Sequence, residues 1–562
     1  MLSSVNTQCI DRHDSTFETM SKDTIVLRKG LKLGELDAES DKELLKACFI
    51  DNGTLKRLLD LDDHAAIVIG RTGSGKSALL LQAKEKCEHS CLINPHDISI
   101  RFLEQSNIIQ FLSELDIKLD LFYKILWRHI LIVEVLKMRY HLHDERASSN
   151  FITSLYHSIS RDKTKKKAFD YFSEWGNKFW LEVDEQLKEL TEKFTRDIKS
   201  ELGSRFSDVD ISLEGAKSLS NERKTEIKPR ASQVVSGIQI KRLNEVFDLL
   251  AEHAFTDKQK SYYLLIDHLD EDWAETATRY RFIRALIEEI KSFRNLPQVK
   301  IIVALRQDLL EIVFDKTRDA GFQEEKYEAY LLPLKWTQQE LEELVQIRIN
   351  EVFKKQYTKC DVSISDIFPA PKKGTQESAF DYIVSRTLLR PRDVLQYVNE
   401  CLIVAAGRDR ISWTAILSAE ASYSSKRLKS LQEEWWNVYP AFKESVNILR
   451  GLPNSFTRSD ITADRLDATC ATLHDMSQLD PCVQACKKLY SPETKTTTSD
   501  VTSELLKCFY HVGIIGIKIS KLDSCFWSFL DQPRASNSDI KRANQIKVHK
   551  MVYHGLEIRE PN

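Results

Sequence analysis

The stretch AAIVIGRTGSGKSALLLQAKEKC, Ala65 to Cys87, decides the fold. Ala65 to Gly70 is a short apolar, β-prone run closed by a glycine-rich turn, the form of a parallel strand buried on both faces. A helix is expected at once, over SALLLQAKEKC. Between the two, GRTGSGKS fits G-x-x-x-x-G-K-[ST] in the strand-to-helix setting that its mechanism requires. Gly70, Gly73 and Gly75 are expected to let the backbone curl, so that successive N–H groups along Gly70, Arg71, Thr72, Gly73, Ser74, Gly75, Lys76 and Ser77 converge on phosphate oxygens. The helix N-terminus adds its positive dipole end. Lys76 then reaches the β- and γ-phosphates of ATP, and the Ser77 hydroxyl ligates Mg²⁺.

Hydrolysis needs a carboxylate at the tip of a second strand and a group that aligns water. SYYLLID, Ser261 to Asp267, is a second buried run, and LLIDHLDEDW supplies the acids. Asp267 is the metal-side carboxylate; Glu271 or Asp270 is expected to meet the attacking water. A third run, VKIIVAL (Val299 to Leu305), completes a βαβ unit across the amphipathic helix ATRYRFIRALIEEIKSF. Arg306 follows it, at the carboxyl edge where open α/β folds bind ligands, placed to sense a γ-phosphate. In LLRPRDVLQYVNEC, Pro391 reads as the first helical position, so Arg390 and Arg392 crowd the positive end of a helix dipole. A nucleotide phosphate or Asp393 resolves that conflict.

The rest of the chain frames this core. Its 562 residues predict three or four domains. Lys plus Arg 81 against Asp plus Glu 84, a net charge of −3, exclude a global basic field, so any nucleic-acid binding has to be local. The 11 cysteines are odd in number and scattered, which suits reduced thiols and a cytoplasmic location. The N-terminus lacks the basic flank and apolar core of a signal peptide. The most apolar stretch, Leu119 to Met138, carries Lys124, Arg128, His129 and Glu134, so a buried helix is expected and no membrane span.

The boundaries read as follows: 1–60, an N-terminal tail and helical preface; 61–335, the P-loop domain with a helical insertion at about 101–260; 336–434, a helical lid; 435–562, a winged-helix-like domain. The lid opens on a capping box, Thr337 to Glu340. The last domain rests on SELLKCFYHVGIIGIKI and SCFWSFL, a helix leading into two β-prone segments. SLSNERKTEIKPRASQ reads as a loose polar linker. The fold class is α/β, a P-loop parallel sheet with a large helical insertion, a helical lid and a winged-helix-like end.

These residues resemble the STAND branch of P-loop ATPases, above all its KAP-like and NACHT-like bacterial members, which are associated with defence against phage. The resemblance rests on GRTGSGKS, LLIDHLDED, Arg306 and RPRD. It implies ATP-driven switching between a closed monomer and a homo-oligomer, with helical and winged-helix modules holding the nucleotide. About 190 residues separate Ser77 from Asp267, an insertion like that of KAP-type proteins but without their membrane helices. No nuclease, protease or TIR-like effector is evident, so output is expected through a separate partner protein.

Weaker signals remain. Cys470, His474, Cys482 and Cys486 have loosely zinc-like spacing but favour core cysteines. RDKTKKK, Arg161 to Lys167, is a basic run suited to a solvated helix face or to phosphates. Arg279, Arg281 and Arg284 include a candidate finger acting across a subunit boundary. The competing reading is an AAA+-like ATPase that loads or remodels nucleic acid; a small-molecule kinase is weakened by the large appended domains.

Overall fold

The apolar run around the motif forms strand β1, Ile67–Gly70, with all four residues buried. It lies inside a five-stranded sheet of order β2-β3-β4-β1-β5, with β2 at His89–Ile93, β3 at Tyr262–Ile266, β4 at Val299–Arg306 and β5 at Leu331–Pro333. Every pairing in this sheet is parallel. The computed structural model describes residues 25–95, 105–117, 119–159, 170, 172–173, 178, 180–203, 210–237, 255, 259–271, 276–319, 323–356, 361–372, 374–476, 479–520, 523–530 and 535–560. The basic run 161–167 lies outside them.

Two compact units result. One comprises Glu35–Leu341 with Leu389–Asp393; the other gathers Glu342–Leu388 and Val394–Asn562 with the chain up to Gly34. The stretches read as a lid and a winged-helix-like domain thus fall together. Their helix Trp413–Glu434 packs on the C-terminal segment, where Ser424 Oγ accepts from Gly555 N at 2.9 Å.

In the first unit, helix α1 (Lys76–Lys86) follows the loop, α2 (Asp120–Tyr140) belongs to the insertion, and α3 (Thr276–Phe293) and α4 (Gln307–Lys316) flank β4. Sheet and insertion share one apolar core, in which Trp127, Phe122 and Phe282 are fully buried. Lys124, Arg128, Glu134 and Lys137 on α2 are paired within protein. Arg128 makes a two-pronged pair with Glu289 of α3 at 2.7 and 2.8 Å, Glu134 binds Lys137 at 2.8 Å, and Lys124 pairs with Glu288. Among the described residues no helix is long and apolar enough to cross a membrane.

Three expectations need correction. The segment read as a loose linker forms the helix Asn221–Gly237. Ile227 and Ala231, one turn apart, are buried, while Lys224 and Lys228 reach Glu114 and Asp116 at 3.3 and 2.7 Å. Tertiary pairing there overrides poor propensity and Pro229. Strands β2 and β5 were not foreseen: β2 is a half-buried edge without period, and β5 has three residues and ends on a proline that only an edge tolerates. In the second unit, helices Ala463–His474, Pro481–Tyr490 and Thr498–Val512 pack beside an antiparallel sheet of order β6-β8-β7: Ser455–Phe456, Gln545–Val548, Ile515–Lys518. The ladder partner of β7 is β8 rather than SCFWSFL, of which only Phe526 bridges Ile517.

Candidate functional site

Every backbone carbonyl from Gly70 to Ser74 accepts a hydrogen bond, four of the five from a side chain. Lys76 Nζ donates to Gly70 O at 3.2 Å and Arg71 O at 3.1 Å. Arg390 Nη1 donates to Thr72 O at 2.7 Å, the Arg392 amide to Gly73 O at 3.4 Å, and Trp336 Nε1 to Ser74 O at 2.7 Å. A trans peptide points its N–H opposite to its carbonyl. Tying down these carbonyls therefore fixes how the amides of the same peptides are turned, and Ser74 N closes a turn within the loop on Arg71 O at 3.2 Å. Gly73 and Gly75 hold the bend with φ of 78° and 97°, a region that a side chain would strain. Helix α1 begins at Lys76 without a side-chain cap on its first amides, and the Thr72 and Ser74 hydroxyls are buried without hydrogen-bond partners. Such an amide-lined bend at a helix N-terminus is a seat for an anion.

The sheet brings acids to this bend. Strand β4 separates β1 from β3, so Asp267, directly after β3, lies two strand spacings, about 10 Å, across the carboxyl edge from the loop strand. Arg306 stands between them, level with Gly70 in the register. Burial pushes the Lys76 ammonium below its ordinary value, while nearby Asp270 and Asp267 pull it back. Arg306 is gripped by Asp308, Nε to Oδ1 at 3.1 Å and Nη2 to Oδ2 at 2.6 Å, with Asp270 at 3.9 Å.

His268 sits at φ 60°, a left-handed conformation that is uncommon for a non-glycine residue. Its Nδ1 meets Glu271 Oε1 at 2.8 Å and its Nε2 meets Glu39 Oε1 at 3.3 Å. Burial lowers the imidazole pKa, but Asp267, Glu271 and Glu39 together more than offset this, and the net direction is upward. Glu39 in turn shares a hydrogen bond with Asp37, which raises its own carboxyl pKa. Glu39, Asp267 and His268 offer ligand atoms within 4.8 Å of one another. Ser77 with Asp267 is a hard-oxygen pair of the kind that suits Mg²⁺.

The structure thus brings Lys76, Asp267, Asp270 and Arg306 together. Glu271 turns to His268 and its side chain is 45% exposed. Arg390 and Arg392 serve the carbonyl side of the loop; Arg390 also binds Asp393 at 3.0 Å, and Arg392 Nε donates to Leu36 O at 3.0 Å. Arg279 is buried on the Glu271 carbonyl at 2.9 Å, and Arg284 pairs with Glu288 at 2.6 Å, so Arg281 alone of that trio is exposed. Cys470 and Cys486 place their thiols 3.2 Å apart in the core, whereas His474 turns to Asp475. Glu39, His268, Asp308 and Trp336 escaped the sequence reading. Asp308, two residues after Arg306 and opening a helix, was the one with a visible signal.

Strand, loop and helix make this an α/β P-loop fold. Residues 339–432 match the FunZ-associated C-terminal helical domain. Over 552 residues the chain is 22% identical to an 80.3 kDa protein of Escherichia coli (strain K12) named for transposon gamma-delta, covering 95% of this chain and 68% of that one. Among solved structures, a Walker-type ATPase of Pyrococcus abyssi aligns at 14% identity over 81% of this chain and 95% of its own, with a TM-score of 0.30, a likeness too loose to weigh beside the site itself.

Proposed function

We propose that this protein binds and hydrolyses ATP with Mg²⁺, and that nucleotide occupancy works a STAND-like switch controlling self-association and a separate effector protein. One observation carries the reading: the carbonyls of the loop from Gly70 to Ser74 are all tied off, and Lys76, Asp267, Asp270 and Arg306 gather from three strand ends. Amides of the loop not spent on its own turn, with those of the first turn of α1, hold the β- and γ-phosphates, and Lys76 leaves the loop carbonyls to take a phosphate oxygen. Ser77 and Asp267 hold the metal, which neutralises phosphate charge when bound. Asp270, set beside Lys76 and Arg306, orients the water, and Arg306 meets the charge that grows on the transferred phosphoryl.

The test is Mg²⁺-dependent phosphate release from ATP and from GTP, together with mass in solution with and without a non-hydrolysable ATP analogue. Release abolished by Lys76→Ala and a mass that rises with the analogue support the switch; no release from either nucleotide rejects the enzyme.

A second reading, an AAA+-like ATPase acting on nucleic acid, with the small C-terminal sheet and its helices as a winged-helix-like module, is favoured by the transposon-named relative that spans 95% of the chain. Strong, salt-sensitive stimulation of turnover by DNA selects it.

A further inference from the structure

Within the second unit lies a cavity of about 380 Å³, bordered by Trp527, Phe529, Lys547, His549, Lys550 and Tyr553. That volume falls in the range of roughly 300–1,000 Å³ typical of ligand sites. Its wall is a locked aromatic group. Trp527 and Phe529 each meet the His549 ring edge-on, with centroids 5.2 Å apart and planes at 89° and 80°. His549 is itself fixed, since its Nδ1 accepts from Met551 N at 3.1 Å. Trp527 abuts Gly516, where an added Cβ would come 2.7 Å from the indole and 2.6 Å from Cys525 Sγ. Both Trp527 and Phe529 are half-buried and line the cavity. At the rim, neither Lys547 nor Lys550 forms an ion pair among the described residues. Asn454 and Ser455, the latter paired with Lys547 in the ladder, add polar groups to the lining.

Rigid rings beside ammonium groups with no ion pair among the described residues select a ligand that is both planar and anionic. We propose that this cavity takes a base of single-stranded nucleic acid against Trp527 and Phe529, with neighbouring phosphates on Lys547 and Lys550. A concave pocket admits a base only when it has left its stack, which favours a single strand over a duplex. The inference deepens the second, nucleic-acid reading and is separable from the ATPase: the residues that border the cavity lie outside the unit that carries the phosphate loop, and binding here needs no nucleotide hydrolysis.

Fluorescence anisotropy of a labelled oligothymidylate with the full chain tests it, from about 50 to about 200 mM salt. Binding is expected, with a slope of log K on log salt of about −1.4, from two phosphates at about −0.7 each. Trp527→Ala weakens binding by between about fivefold and about 150-fold, while Trp527→Phe retains most of it. Because Trp527→Ala also removes a packed ring, Lys547→Glu with Lys550→Glu is the companion variant: it weakens binding and flattens the salt slope at an unchanged unfolding midpoint. Absence of binding overturns the proposal, as does equal affinity in both variants, a duplex that binds as tightly as the strand, or thymidine monophosphate that matches the strand.

Discussion

Arg390 donates to the carbonyl of Thr72 at 2.7 Å across 318 positions of sequence. The same guanidinium binds Asp393 at 3.0 Å, and both side chains are almost fully buried. Leu389, just before it, takes φ 52°, a strained conformation for a bulky residue. Arg390→Met removes the ion-pair partner of the buried Asp393 carboxylate, so unfolding free energy falls by about 3–5 kcal/mol. Arg390→Met with Asp393→Leu recovers much of that in denaturant melts but leaves ATP affinity low, because Thr72 O loses its donor. Full recovery of affinity in the double variant refutes the positioning role.

Lys76→Ala removes the loop's movable cation. Saturating Mg²⁺-ATP at 100 times its dissociation constant stabilises a binding protein by about 2.7 kcal/mol. Thermal shift should show this gain in the parent chain and none in the variant.

Asp270→Asn is expected to slow ATP turnover by about 10²-fold or more at unchanged nucleotide affinity, the usual contribution of a group that handles the water's proton. Glu271→Gln is expected to keep most turnover and to lower the His268 pKa, since it removes one of three carboxylates that hold it up. Single-turnover rates and imidazole NMR titration check the two effects. The reverse order of rates moves the water to Glu271.

His129, buried in α2, has its pKa pushed down to about 3 by burial, with Lys193 and Lys137 adding repulsion. The unfolded imidazole takes a proton near pH 6.5. Stability from this group is therefore complete above about pH 6.5 and declines as the pH falls toward the folded value, by a few kcal/mol in total. His129→Leu should flatten the dependence of the unfolding midpoint on pH across that window.

Much of the site was legible because its physics is local. An apolar run, three glycines and a lysine are enough to specify strand, bend and helix, and the acids after β3 declare themselves by their position. Glu39 was not legible: its role comes from where the segment after Gly34 lies in the fold, and nothing in the local pattern of LGELDAES marks it. Helix Asn221–Gly237 was misread for a related reason, since its salt bridges to Glu114 and Asp116 are set by packing rather than by propensity. β8 lay hidden because Gln545–Val548 alternates polar and apolar residues over only four positions.

The grip on the loop from Arg390 and Arg392 has a consequence for biosynthesis. A ribosome emits Gly70 to Ser77 early, but the two arginines that fasten its carbonyls leave the exit tunnel more than 300 residues later. Throughout that interval the carbonyls of Thr72 and Gly73 wait for their donors, so the clasp on the loop closes only after that later stretch has emerged.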